Sequence, residues 1–378
     1  MPRPIQAIIS TSAMSHNLAQ VRARIEAAKQ VQPTAQASQT YVCAVIKANA
    51  YGHGTLNAVR GFAQADALGM IDIQDLVLCR EAGWSKPLLL LEGFFEASDV
   101  PVLQEHRVTT AIHHDEQLQM LAQAKPAMPI DVYLKINTGM NRLGFSPEQA
   151  AAKLAELKRL QQAGKVGRIG HMMHFANADL EQDFVHQAYE QIIQARGDHN
   201  GPLSICNSAA SLRYPHFALA AQENWVRPGI CLYGGLPFNT NIHPYAALDF
   251  QAPMTLQAKI IAVQTMTVGS SVGYGSMYTA EREMRIGVVA CGYADGYPRS
   301  APNGTPVTID GQASQIIGRV SMDMLTVDLS HLPQAQVGST VVLWGEGGPN
   351  IEEVASRSGR IGYELMCGLT NRVPKIVV

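Results

Sequence analysis

Charge, long apolar runs and paired cysteines are all scarce in this 378-residue chain. Only 16% of the residues are charged, and 29 basic against 31 acidic side chains leave a formal charge of -2. Such a surface has no field of one sign to gather nucleic acid or an anionic membrane, so neither is an expected partner. No apolar run approaches the roughly 18 residues of a membrane span, and the start, Met1-Pro2-Arg3-Pro4-Ile5-Gln6, lacks the apolar core of a secretory leader. A cytoplasmic protein is expected. The cysteines, Cys43, Cys79, Cys206, Cys231, Cys291 and Cys367, are scattered with no C-x-x-C pair, which argues against a zinc site and a disulfide framework and for reduced core thiols. Fixed-period repeats, low-complexity tracts and a G-x-x-x-x-G-K-[ST] phosphate loop are missing as well.

Hydrophobic residues, by contrast, make up 47% of the chain, enough for a deep core, and the length exceeds one ordinary domain. Between residues 12 and 245 eight short apolar runs alternate with helical patterns: Val42–Ala48, Ala67–Met70, Leu88–Leu91, Val108–Ile112, Ile130–Ile136, Arg168–Met173, Leu203–Cys206 and Trp225–Leu232. Eight βα units predict an α/β protein built on a TIM (β/α)8 barrel. Pro147–Ala163 places Ala151, Leu154, Leu157 and Leu160 on one helical face. Ahead of the first run, Thr11 could cap a helix carrying Leu18, Val21 and Ile25, which would bridge two domains. Beyond residue 245 the texture turns to β segments with Gly and Pro turns, such as Met284–Ala290, Thr305–Gly311, Met324–Asp328 and Val341–Trp344. Residues 246–378, with 1–11, are therefore expected to form a separate, mainly-β C-terminal domain.

The most informative stretch is Val45-Ile46-Lys47-Ala48-Asn49-Ala50-Tyr51-Gly52-His53-Gly54. It sets a lysine where the first barrel strand runs into its loop, the end of the barrel that carries active sites. Flanked by Ile46, Ala48 and Ala50, Lys47 loses hydration, which disfavours the ammonium and lowers its pKa from about 10.4. It can then attack an aldehyde as a free amine. A dinucleotide fingerprint would need a third glycine where Asn57 stands. His171-x-x-His174 has a metal-like ring to it, but on a strand the two would point to opposite faces, so no metal is expected.

This stretch resembles the pyridoxal-phosphate attachment motif of the alanine racemase family, of fold type III. The resemblance continues through Lys135–Gly144, His174-Phe175-Ala176, Asn207–Ala210 and Val226–Ile230, then through Val272–Gly275, Gly292–Gly296, Ser321-Met322-Asp323 and Ile361–Leu365. It implies that Lys47 carries pyridoxal 5'-phosphate as a Schiff base and that Lys47 and Tyr274 are the two bases racemisation needs, one on each face of the substrate Cα. Tyr274 would come from the partner in a homodimer with shared sites. Arg227 would face the pyridine nitrogen and His174 would orient it, while Tyr51, Ser208, Tyr363 and the amides around Gly229 and Ile230 would cradle the phosphate. Arg142 would meet the cofactor phenolate and the substrate carboxylate, with the partner's Met322 and Asp323 nearby and Tyr293 at a narrow entrance suited to alanine. Lys135 matches a position that is often carbamylated in the family.

The same resemblance implies interconversion of L- and D-alanine, supplying D-alanine for cell-wall peptidoglycan or serving alanine catabolism. Three other readings compete. A racemase of broader specificity would share the two bases and differ in pocket lining. A non-catalytic pyridoxal-phosphate carrier would have no need of the β domain with Tyr274, Met322 and Asp323. A class I aldolase would leave the phosphate and pyridine ligands unexplained.

Overall fold

The computed structural model describes residues 3–32, 37–125, 128–180, 183–238 and 248–378. Eight parallel strands close into a barrel: β2 (Gln39–Val45), β3 (Ala67–Met70), β4 (Leu88–Leu90), β5 (Val108–Ile112), β6 (Ile130–Lys135), β7 (Val166–Met172), β8 (Leu203–Ser204) and β9 (Glu223–Val226), with β9 back against β2. These are short runs buried on both faces; every residue of β3 and β4 is buried, because helices cover the outside while side chains fill the inside. The barrel interior holds a packed cluster of Cys43, Ala67, Leu89, Ala111, Tyr133 and Met172, small residues mixed with large ones.

Where the strands end differs from the apolar runs, for local reasons. Pairing of β9 stops at Val226, not Leu232, since Pro228 has no amide to donate and Ile230–Tyr233 turns into a 3-10 helix. Strand β2 stops at Val45, not Ala48, because the backbone there enters a left-handed turn. The first helix, Thr11–Gln30, is capped by Ser10, whose hydroxyl accepts from the Ala13 amide at 3.1 Å, rather than by Thr11. It buries Leu18, Val21 and Ile25, and its buried Asn17 donates to the carbonyls of Leu232 and Gln251, tying the barrel's end to the chain leading into the β domain. Of the face expected in Pro147–Ala163, Leu157 is buried and Leu154 and Leu160 pack on the core, but Ala151 is exposed.

The β domain begins with β1 (Ile5–Ile9), whose Ile5, Ala7 and Ile9 are buried on alternate positions. The others are β10 (Met254–Met266), the two-residue pair β11 (Ser271–Val272) and β12 (Tyr278–Thr279), β13 (Met284–Val289), β14 (Pro306–Ile309), β15 (Gln312–Ile317), β16 (Leu325–Asp328), β17 (Thr340–Trp344) and β18 (Lys375–Val377). The 13-residue β10 organises the sheet: its first half pairs with β1 and β17 and its second half with β13. The order β13-β16-β15-β14-β17-β10, with β13 also on β10, closes this part of the sheet on itself. Five of the six cysteines are buried, Cys367 is exposed, and none is paired. The expected boundary at residue 245 lies outside the described residues. No described helix is long and apolar enough to cross a membrane.

His171 and His174 do part company: His171 packs outside the barrel against His199, 5.3 Å away, while His174 lines the interior cavity. His171 is fully buried with both ring nitrogens unpaired, and burial pushes its pKa down to about 3. It is neutral in the fold but takes up a proton near its ordinary pKa of about 6.5 once unfolded. Its contribution is thus fully present above about pH 6.5 and is lost as pH falls toward 3. Replacing His171→Leu should therefore reduce the drop in Tm between pH 7.5 and pH 5 relative to wild type; equal drops in thermal scans would contradict this.

Candidate active site

Lys47 leaves the C-terminal end of β2 and opens into a cavity of about 560 Å³, within the range of small-molecule sites. The turn it begins is unusual. Ala48, Asn49, Ala50 and Tyr51 all have φ between 51° and 54°, so four consecutive side-chain-bearing residues are left-handed. Each costs about 1–2 kcal/mol relative to a right-handed conformation, which is tolerated where surrounding contacts over-determine it. Gly52, at φ 78°, ends the turn, and a Cβ there would collide with the Met366 carbonyl of the β domain.

Lys47 is half-buried, and burial first, then the neighbouring Arg142 guanidinium, lowers its pKa, with Glu92 opposing. Lys135, at the end of β6, is 7% exposed and is pushed down to about 8 by burial and by Arg227 and Arg142. Its Nζ donates to the Leu91 carbonyl at 3.3 Å. Two lysines and two arginines thus share the cavity with Glu92, Asp179 and Glu352, a set suited to an anionic ligand.

Arg227 follows β9 and is 5% exposed. Its guanidinium donates at 2.7 Å to Ser204 Oγ and at 2.7 Å to the Met173 carbonyl. These two groups hold it, in place of the His174 contact expected from the sequence. His174 instead accepts from the Asn207 amide at 3.4 Å, and its pKa lies well below 6.5 because it is buried among Arg227, Arg142, Lys135 and Lys47. A neutral ring surrounded by cations avoids adding to their repulsion.

The same cavity is lined by Tyr51, Ser208, Gly229, Ile230 and Tyr363. The Tyr51 ring stacks on Tyr233 with centroids 4.6 Å apart and lies 6.0 Å from Tyr363. Ser208 Oγ accepts from the Gly229 amide at 2.8 Å, so that amide is occupied, whereas Ile230 opens its 3-10 turn and has no acceptor within it. Gly229 leaves space that a side chain would fill: a Cβ there would strike the Tyr51 hydroxyl. Neutral hydroxyls, an amide, an amine and a guanidinium lining one cavity fit pyridoxal phosphate, an aldehyde bearing a phosphate and a pyridine nitrogen.

Tyr274, Tyr293, Met322 and Asp323 do not line this cavity. Tyr274, 72% exposed, sits in the turn between β11 and β12. Met322 is 53% exposed; the Tyr293 and Ala294 amides bond to the Ser321 and Met322 carbonyls, zipping the two loops together. Arg3 and Arg372 grip Asp323 at 3.0 and 2.6 Å. Ser204, Tyr233 and Glu92 are contributors that the sequence analysis missed. A hydroxyl inside the apolar run Leu203–Cys206 was the one available signal, because a buried hydroxyl needs a partner.

Gly229→Ala should displace the Tyr51 hydroxyl and weaken pyridoxal phosphate binding by about tenfold, the scale of one lost hydrogen bond to a charged group. Fluorescence titration of the variant checks this; unchanged affinity would mean Tyr51 does not hold the phosphate.

Two family models match, the alanine racemase N-terminal domain over residues 9–237 and the C-terminal domain over 253–377. The chain is 50% identical to an alanine racemase of Bordetella avium, covering 99% of each, and 47% identical to one of Cupriavidus metallidurans, covering 100% of this chain and 98% of that relative. Its fold is similar to the crystal structure of the biosynthetic alanine racemase from Pseudomonas aeruginosa, with a TM-score of 0.87, 41% identity, and 100% and 99% of the two chains covered. With two family models spanning both domains and full-length relatives at this identity, the chain belongs to the alanine racemase family, whose members are isomerases.

Proposed function

We propose that the chain interconverts L-alanine and D-alanine with pyridoxal 5'-phosphate on Lys47, by a two-base mechanism in which Tyr274 of the partner subunit is the second base. The observation that carries this reading is the Lys47 amine, depressed in pKa, sharing one cavity with the Tyr51, Ser208 and Tyr363 hydroxyls and the pinned Arg227 guanidinium. When bound, pyridoxal phosphate supplies an aldehyde for an amine and a conjugated ring that accepts the electron pair left at the substrate Cα.

The residues divide the remaining work. Burial lets Lys47 spend more of its time as a neutral amine, able to take a proton from one face of Cα and return it. Arg227, pinned by Ser204 and Met173, keeps its own proton and leaves the pyridine nitrogen without a ready donor, which favours return of the proton to Cα over side reactions. Tyr51, Ser208, Tyr363 and the Ile230 amide would hold the phosphate. Arg142, exposed at the cavity, is positioned to receive the substrate carboxylate. Lys135, at about 8, offers a larger neutral fraction than an ordinary lysine, the form that takes up carbon dioxide to give a carbamate.

A homodimer accounts for the exposed group Tyr274, Met277, Tyr293, Met322 and Met324 on the β domain. In this arrangement residues 1–11 and 246–378 of one subunit complete the site in the barrel, residues 12–245, of the other. Tyr293 would narrow the entrance and favour a small amino acid. The product D-alanine suits peptidoglycan synthesis, and the reverse direction suits alanine catabolism.

Purified wild type with added pyridoxal phosphate should bring the optical rotation of L-alanine to zero, and Lys47→Ala should not. Constant rotation from a cofactor-loaded wild type would refute alanine as the substrate. Mixing the inactive variants Lys47→Ala and Tyr274→Phe under subunit exchange should restore about one quarter of wild-type activity, since a two-fold dimer of one of each regains one intact site. No recovery despite demonstrated heterodimers would place Tyr274 in its own subunit's chemistry.

A further inference from the structure

The stretch that carries Lys47 also holds a histidine that the chemistry above leaves unused. His53 is fully buried, and its Nδ1 lies 2.9 Å from the Tyr51 carbonyl and 3.1 Å from the Ala50 carbonyl. Carbonyls only accept, so Nδ1 carries the ring proton and donates to both. Burial holds the ring neutral, with its pKa pushed down to about 4. The backbone of His53 is itself fixed: its amide donates to the Ala50 carbonyl at 3.0 Å, and its carbonyl accepts from Asn57 Nδ2 at 2.8 Å.

Tyr233 completes the arrangement from beneath. Its ring lies 4.8 Å from His53 and 4.6 Å from Tyr51, and its hydroxyl donates to the Val45 carbonyl at 3.0 Å. Backbone is therefore gripped on both sides of Lys47, at Val45 before it and at Ala50 and Tyr51 after it. A left-handed turn of residues with a Cβ would relax toward ordinary conformations without such a grip, because only external contacts repay its strain.

We propose that His53 is a positioning residue whose Nδ1 hydrogen bonds lock the left-handed turn, so that the Lys47 amine and the Tyr51 hydroxyl are presented at a fixed separation to the two ends of one ligand. This rests on the reading of Lys47 and Tyr51 as cofactor ligands. A fixed separation removes the ordering cost that a mobile turn would add to each binding event.

The test uses the full-length protein and compares His53→Leu, which keeps bulk and loses the donor, with His53→Asn, whose amide can occupy the place of Nδ1. Hydrogen exchange of the amides of residues 48–54, without and with pyridoxal phosphate, reads the lock itself; titration and the absorbance of lysine-bound cofactor read its consequence. His53→Leu should exchange faster across 48–54 and bind pyridoxal phosphate about tenfold more weakly, while His53→Asn stays within about twofold of wild type. Should His53→Leu fail to fold, His53→Gln, whose amide overreaches the carbonyls, replaces it with the same expectation. Wild-type exchange and affinity in the donor-free variant would overturn the proposal, as would an equal loss in His53→Asn. A wild type that forms no lysine-bound chromophore would instead sink the Lys47 reading, and the exchange data would still judge the lock.

Discussion

The site depends on a backbone conformation that its own residues disfavour. Four successive positive φ values bring Lys47 and Tyr51 to the same cavity within five residues, a spacing that a right-handed helix would present differently. What sustains the turn comes from three directions: the His53 imidazole beside it, the Tyr233 ring beneath it, and the β domain against Gly52, whose missing side chain lets the Met366 carbonyl close in. The helix Gly362–Cys367 that supplies Met366 also supplies Tyr363, and Glu352 accepts from its Gly362 amide at 3.1 Å. Barrel and β domain are therefore joined at the cavity, which both of them line.

Electrostatics follow from that placement. Lys47, Lys135, Arg142 and Arg227 converge in a partly dry space, and each lowers the pKa of one or more of its neighbours. Mutual repulsion is the cost of keeping a cavity ready for an anionic ligand, and it is moderated by Glu92, by neutral His174, and by the Ser204 and Met173 acceptors on Arg227. The same crowding of positive charge makes an anion's arrival favourable.

Much of this was legible in the sequence because barrel strands are short apolar runs with polar residues at their exits. Lys47, Lys135, His174 and Arg227 all sit at or just past such exits, and all reach the cavity. What escaped has physical causes. Ala48–Tyr51 contains no glycine, and Asn49 is the one residue of a type common at positive φ, too little to announce four in a row. Ser204 and Tyr233 act by touching residues 23 and 182 positions away, Arg227 and Tyr51, and periodicity carries no record of such contacts. The grip on Arg227 was assigned to His174 by the family resemblance, whereas the Ser204 hydroxyl and the Met173 carbonyl hold it. The closure of the β sheet through β10 and β13 depends on the length of one strand, which turn signals do not reveal.

The packed cluster inside the barrel, in which Tyr133 and Met172 pack with the small Ala67 and Ala111, meets the cavity at Met172 and closes the interior beneath it. Ligand exchange is thereby confined to the upper mouth, and a molecule that enters must turn back by the route it came. For a reaction whose substrate and product are mirror images of equal free energy, relative concentrations alone set the direction of net flux, and the single mouth adds that each enantiomer competes with the other for entry.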